Sequence, residues 1–336
     1  MSLTSKINGK TKRDKEFREI LLSIEPNKED YYTLSKKIPF SDEYSTLVQN
    51  VLPNPQHQSS LVGIAFDYLA RFKIAQLLKR VDVLNGMVSL NGFKKLWRIT
   101  PEFFNNKSMN EPYLSWMDEI RQFINDDSIS TLYEIAVHLA KLEQIVRTGV
   151  KNEDINVDYL LFEPAPEEVI NDLDNLIAVF EEKFMIPEII NKKSEVVFNP
   201  KFGVGSALVS GADADIFIDG TLYDFKTTKD QTLAKKDNLQ LIGYFILNEL
   251  AIETSSDLLD FQYEYMIIKR IAFYKARFGE IEYYDADKHL PYEDVKQKLK
   301  EIAEHFKEKQ GSLNLMWKSD IDGAKEKLEQ IRNWDV

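Results

Sequence analysis

The sequence predicts a mixed α/β protein: a central β-sheet flanked by helices, with a helical insertion or lobe. Three observations carry this expectation. From about residue 95 to 190, apolar residues recur at three- and four-residue steps, the helical period. At "SEVVFNP", 194–200, the character changes to short β-branched runs bounded by turn residues. The full order then reads helix, helical block, three strands, helix, strands, helix, which suits a layered α/β domain.

Residues 1–58 are polar and end in the Pro-rich "VLPNPQHQ", which reads as an N-terminal extension closed by a break. In "SSLVGIAFDYLARFKIAQLLKRV", Ser59 to Val81, the positions Leu61, Ile64, Phe66, Leu69, Phe72 and Ile74 predict a buried helix, with Ser59 or Ser60 as N-cap. Three further helices are expected in the block that follows. They lie at "PYLSWMDEIRQFIND", at "ISTLYEIAVHLAKLEQIVRTG" with Gly149 at its C-terminal end, and at "APEEVINDLDNLIAVFEEKFM", whose Pro-Glu-Glu suits a first turn. Strand-like runs "GSALVSGADADIFI" and "TLYDFKTT" flank Asp219-Gly220, a strong hairpin signal because both central residues of a type I′ turn need φ > 0. "KDNLQLIGYFILNELAIE" returns to helix, and "YMIIKRIAFYKARFGEIEYYD" reads as two strands around Phe278-Gly279. "PYEDVKQKLKEIAEHFKEK" is a last amphipathic helix, so one domain is expected over 59–310, with a C-terminal helical tail over 311–336. No internal repeat or low-complexity segment is visible.

The bulk properties narrow the classes. With 43% hydrophobic and 12% aromatic residues in 336, the chain is rich enough for a large core, and 13 Gly with 11 Pro leave little room for long linkers. The absence of Cys excludes disulfides, thiol nucleophiles and thiolate zinc sites. No apolar run approaches the about 18 residues of a membrane span, and the first residues lack a signal-peptide core, so a soluble, cytoplasmic protein is expected. The net charge of −12 argues against non-specific coating of nucleic acid. An enzyme with local positive charge, helped by a metal ion, remains compatible with it.

The hairpin holds the chemistry. A two-residue turn at Asp219-Gly220 sets Asp215 opposite Asp224 and Asp213 opposite Lys226. Those four then share one side with Phe217 and Leu222, while Ala212, Ala214, Ile216, Ile218, Tyr223 and Phe225 form a core side. Opposed carboxylates repel, and the set calls for a cation beyond Lys226; Mg²⁺ or Mn²⁺ suits oxygen ligands. A solvated strand face offers the plain alternative, weakened by the apolar flanks of "LYDFKTT". On the following helix Gln240 and Tyr244, four residues apart, share a face.

An Asp, then Asp224-Phe225-Lys226, then Gln240-x-x-x-Tyr244 resembles the PD-(D/E)XK nuclease superfamily, in its RecB-like branch. Gly211-Ala212-Asp213-Ala214-Asp215 stands for the first motif; motif alignment favours Asp213 as metal ligand and hairpin geometry favours Asp215. The resemblance covers about Glu195 to Tyr244 and the helix near 60–80. It implies a restriction-endonuclease-like core and Mg- or Mn-dependent hydrolysis of phosphodiester bonds in DNA. Asp224 with Asp213 or Asp215 would hold the ion, joined by the Phe225 carbonyl and by Glu195 on the preceding strand. Lys226 would orient the attacking water and stabilise developing charge, with Gln240 and Tyr244 positioning the nucleic acid or the ligating carboxylates. Where that branch often has Gly-x-x-x-His, this chain has Gly63 to Asp67, which leaves the role of Asp67 open.

His57, His138, His289 and His305 show no ligand spacing, and His138, in an apolar helix, reads as a core residue. No P-loop or Rossmann turn is present, so an ATP-driven helicase partner would be another chain. "NGFKKLWR", Asn91 to Arg98, mixes basic and aromatic residues as a nucleic-acid contact does, and as an ordinary surface segment does. In "IIKRIAFYKARFG" the residues Lys269, Arg270, Lys275 and Arg277 either line the substrate path or protect an edge strand. Besides a nuclease, two readings stay open: a nuclease-fold protein without turnover that holds nucleic acid or a protein partner, and an unrelated α/β protein with a chance hairpin.

Overall fold

A computed structural model describes residues 2–50, 52–100, 111–125, 129–149, 151–255, 266–308 and 318–336. Two short helices, α1 (Leu3–Ile7) and α2 (Lys12–Leu22), precede β1 (Tyr32–Thr33). Among the described residues there follow α3 (Pro55–Leu78), α4 (Val88–Ile99), α5 (Glu111–Ile124), α6 (Leu132–Arg147), α7 (Val157–Leu161) and α8 (Glu167–Lys183). Then come β2 (Val196–Phe198), α9 (Gly203–Val209), β3 (Ile216–Ile218), β4 (Thr221–Lys226) and α10 (Lys235–Thr254). The chain closes with β5 (Arg270–Lys275), β6 (Glu280–Tyr284), α11 (Ala286–His289), α12 (Tyr292–His305) and α13 (Lys318–Arg332).

The six strands make one mixed sheet in the order β1-β6-β5-β4-β3-β2. Every neighbouring pair is antiparallel except β4 and β5, which run parallel and are joined through α10. Helices cover both faces. Ile216, Ile218, Tyr223 and Phe225 pack with α3 and α5–α8, and Phe217, Leu222, Ile271 and Phe273 pack with α9, α10 and both chain ends. A strand buried on both faces reads as a continuous apolar run, which is why "LYDF" lacks clean alternation.

Several sequence expectations are corrected here. The helical block expected as an insertion or lobe shares one continuous core with the sheet. Residues 1–58 are woven into the domain: Leu3, Phe17 and Leu21 are buried in the other core, and β1 forms a sheet edge. Ala324, Leu328 and Ile331 anchor the C-terminal helix in that same core. The helix expected from Ser59 begins at Pro55; proline lacks only an N–H that a first helical turn leaves unused, so it started the helix instead of breaking it. In "GSALVSGADADIFI" only Ile216–Ile218 is strand. Gly203–Val209 is helix, and a Cβ on Gly205 would stand 2.7 Å from the Leu247 carbonyl oxygen, so glycine permits a close approach to α10 that local propensity does not reveal.

The Asp219-Gly220 turn has φ of 45° and 87°, both positive as a type I′ turn needs, and Ile218 pairs with Thr221. β5 is an interior strand, so the edge-strand account of its basic residues does not apply. Arg277, just beyond it, is 1% exposed and forms a paired ion bridge to Asp172 of α8 at 2.8 and 2.7 Å, with its Nε donating to the Thr227 carbonyl at 2.6 Å. That pair ties the helical layer to the sheet. Asp172→Ala leaves a buried guanidinium without its counter-ion and is expected to lower stability by about 3–5 kcal/mol, read as a fall in the urea unfolding midpoint.

Candidate active site

β4 has β5 along one side for its whole length, but on its other side β3 stops at Ile216, opposite Tyr223. The expected pairings Asp215–Asp224 and Asp213–Lys226 therefore do not form. The chain before β3 turns toward β2's extension instead: the Ala214 N–H donates to the Pro200 carbonyl and the Asn199 N–H to the Asp215 carbonyl. Asp213 is bridged to Lys201, and Ala212 and Ala214 join the core of Phe217 and Leu222, opposite to the face assigned by strict alternation. Where the strands part, the Asp215 side chain replaces the missing ladder: its Oδ2 accepts from the Phe225 N–H at 2.6 Å.

This gap lies where both helical layers reach the sheet. Asp224 is 5% exposed, and Lys226 Nζ lies 2.6 Å from its Oδ2 and 3.4 Å from Asp237 Oδ1. The Lys226 ammonium is therefore the close cationic partner of a buried carboxylate oxygen, Asp224 Oδ2. Burial would lower the Lys226 pKa, but Asp224 and Asp237 outweigh it and hold the ammonium above its ordinary value. Burial also raises the Asp224 pKa, against the pull of Lys226. For Asp215, burial and then the Asp224 charge push the pKa up to about 7, opposed by the Phe225 N–H, Lys226 and Arg71.

From α10 come Asp237, Gln240 and Tyr244 on one helical face. Gln240 Nε2 donates to the Tyr244 hydroxyl at 2.6 Å, and the Phe202 ring stacks on Tyr244 at 5.4 Å. Burial and the charges of Asp213 and Asp224 hold the Tyr244 phenol well above its usual range, so it stays protonated. From the opposite layer α3 brings Gly63, where a Cβ would stand 3.3 Å from Thr227 Oγ1, and one turn later Asp67. Asp67 is raised well above an ordinary carboxyl by burial and by Asp215, with Arg71 opposing. α6 adds Arg147, which donates to Glu143 at 2.5 Å and to Asp213 at 3.2 Å, and Glu143 also accepts from the Tyr68 hydroxyl at 2.6 Å.

Asp213, Asp215, Asp224, Lys226, Gln240 and Tyr244 thus gather around one gap, with Asp67, Arg71, Arg147 and Asp237 added by the tertiary structure. Asp237 lay three residues before Gln240 and Arg71 four after Asp67, so helical spacing offered a signal for both. Arg147 had none. Glu195 is not brought to the gap: it is exposed at the other end of the hairpin, where its N–H donates to Asp219 Oδ1 at 2.8 Å. Lys269 donates its N–H to Gly220 at that same end, and Arg270 pairs with Asp285 at 2.8 Å and lies over the Tyr283 ring. Arg277 is occupied by Asp172, and Lys275, 4% exposed, faces the Asp230 and Thr232 carbonyls at 3.4 and 3.2 Å. Lys269, Arg270 and Arg277 therefore brace the fold and do not line the gap, while Lys275 sits beside Lys226 with its ammonium turned to the loop that follows. His138 is a core residue as expected, stacked on Trp116 at 4.8 Å with Nδ1 2.9 Å from the Leu160 carbonyl.

Among the described residues, no three His, Asp or Glu side chains stand close enough to form a ready-made metal cluster. No family model matches the chain, and searches of curated proteins and of solved structures give no match. Among the described residues no helix is long and apolar enough to cross a membrane.

A carboxyl whose pKa is raised on folding binds more protons folded than unfolded, so its contribution to stability falls as pH rises from about 4 toward 7. Asp215→Asn keeps an acceptor for the Phe225 N–H while removing the charge. The variant is expected to melt higher than wild type at pH 8 and to lose less stability between pH 5 and pH 8, as read by thermal unfolding across that range. A lower melting temperature at pH 8 would contradict the crowding of charge described here.

Proposed function

We propose that the chain is a divalent-metal-dependent phosphodiesterase acting on DNA, with its active site where β3 and β4 part. One observation carries the reading: a buried carboxylate pair, Asp215 and Asp224, crowded together beside the Lys226 ammonium. Strands that diverge around buried acids of raised pKa are an arrangement that a bound cation relieves. The donor set fits a hard ion: Asp224 and Asp215 would hold it, with the Phe225 carbonyl, and Mg²⁺ keeps several waters, so a full protein cage is not needed. Such an ion supplies polarisation of a phosphoryl oxygen and a lowered pKa for water.

The remaining roles belong to side chains. Lys226 stays charged, and its ammonium is suited to orient a water and to stabilise the charge that grows on the phosphoryl oxygens. Asp237 holds that ammonium from α10. The Gln240–Tyr244 pair offers neutral donors that orient a phosphodiester without adding charge. Between the two candidates for the first motif, geometry favours Asp215, since Asp213 is taken up by Arg147. The mixed sheet flanked by helices is compatible with the restriction-endonuclease-like core that the motifs imply.

The test is cleavage of linear single- and double-stranded DNA in Mg²⁺ or Mn²⁺. Lys226→Ala and Asp224→Asn are each expected to cut the rate by about 100-fold or more, and Asp213→Asn by much less. Metal binding by wild type without turnover on either substrate would favour the non-catalytic reading, in which the same fold holds nucleic acid or a protein partner. Calorimetry that finds no metal bound by wild type would overturn the proposal.

A further inference from the structure

α4 carries Lys94, Lys95, Trp97 and Arg98 and has no acidic residue between Val88 and Ile99, in a chain whose net charge is −12. The helix lies close against α6 because Gly92 has no side chain; a Cβ there would stand 1.9 Å from the Leu142 carbonyl oxygen. Beside it lies a cleft of about 400 Å³ lined by Asn91, Lys94, Lys95, Arg98, Ile99 and Asn152. Lys95 Nζ donates to the Ile145 carbonyl, which fixes one wall. Lys94 and Arg98 are exposed and form no ion pair among the described residues, and Trp97 is 56% exposed beside them. Cations with no ion-pair partner among the described residues, next to a large exposed ring, are unusual in a chain this acidic, where carboxylates are plentiful.

The position of the cleft links it to the gap. Asn152, beyond the C-terminal end of α6, lines it, and the lining residue Lys95 is bonded to the last turn of α6, which ends at Arg147, whose guanidinium reaches Asp213. Two residues before Arg147 is the carbonyl that accepts from Lys95. The basic cleft and the acidic gap are therefore each tied to the last turn of α6.

We infer that the α4 cleft binds the backbone of single-stranded nucleic acid and leads it toward the β3–β4 gap, Lys94 and Arg98 taking phosphates and Trp97 stacking on an unpaired base. A cleft of this size admits a nucleotide or two and not a duplex, and stacking on a side chain needs a base freed from its pair. This rests on the nuclease reading only for what the strand is delivered to; the binding itself is separable from turnover.

The experiment measures binding of a fluorescent 12-nucleotide dT strand by anisotropy, without metal, with Asp224→Asn as the parent so that no cleavage occurs. Adding Lys94→Gln and Arg98→Gln together is expected to weaken binding at least about ten-fold at low salt and to reduce the slope of log affinity against log salt by about 1.4, two contacts' worth for a single strand. Adding Trp97→Ala is expected to weaken binding about ten-fold with the salt slope unchanged. The altered side chains are exposed, and circular dichroism with thermal unfolding checks that each variant folds. Affinity unchanged by both sets of substitutions, no binding of the dT strand by the parent, or tighter binding of a duplex that the same substitutions weaken more, overturns the proposal. If binding follows the prediction while wild type cuts no DNA, the nuclease reading fails and the cleft stands. If wild type cuts DNA and the substitutions leave binding unchanged, the cleft fails and the nuclease stands.

Discussion

A carboxylate in the middle of a sheet covered on both faces is unfavourable, and much of this structure is arranged around the one at Asp224. Its strand is hydrogen-bonded to β5 throughout, and its side chain points under α10, so water cannot solvate it freely. Lys226, two residues on and on the same face, is the nearest compensation, and Asp237 in the first turn of α10 steadies that ammonium. Stopping β3 at Ile216 then lets Asp215 turn inward and accept the N–H that the missing strand would have taken. The result is a satisfied backbone beside an excess of negative charge.

A second set of buried charges holds the frame around that excess. Arg277 and Asp172 bind the helical layer to the end of β5, with Arg277 also bonded to the Thr227 carbonyl just past Lys226. Lys275, the parallel neighbour of Lys226, faces the Asp230 and Thr232 carbonyls and lies 3.9 Å from Glu282. Glu282 is fully buried and accepts from the Phe40 N–H and the Tyr44 hydroxyl, both at 2.8 Å. Two basic residues that resemble substrate contacts in the sequence thus fix the loop that follows the Asp-x-Lys segment. Buried ion pairs of this kind add little net stability, and their use here is to set position.

The Asp219-Gly220 turn and the shared helix face of Gln240 and Tyr244 were readable because each is local. A two-residue turn fixes a hairpin register, and four-residue spacing fixes a helix face, whatever the rest of the chain does. The periodicity of the long helices was readable for the same reason, and so was the placing of His138 in a core. Glu195 was misplaced because pairing with β3 put it at the turn end of the hairpin, and only the direction in which β2 runs decides that.

The sequence by itself determined the class of fold, the hairpin turn and the chemical types gathered near it, since these follow from periodicity, turn chemistry and short spacings. Only the tertiary structure decided where β3 ends, that the face of Asp224 is covered, that Arg277 is internal, and that Asp67, Arg71 and Arg147 reach the same gap. Each of those depends on packing between segments far apart in the chain, such as Arg147 against Asp213 or Gly205 against Leu247, and no local pattern encodes such a contact.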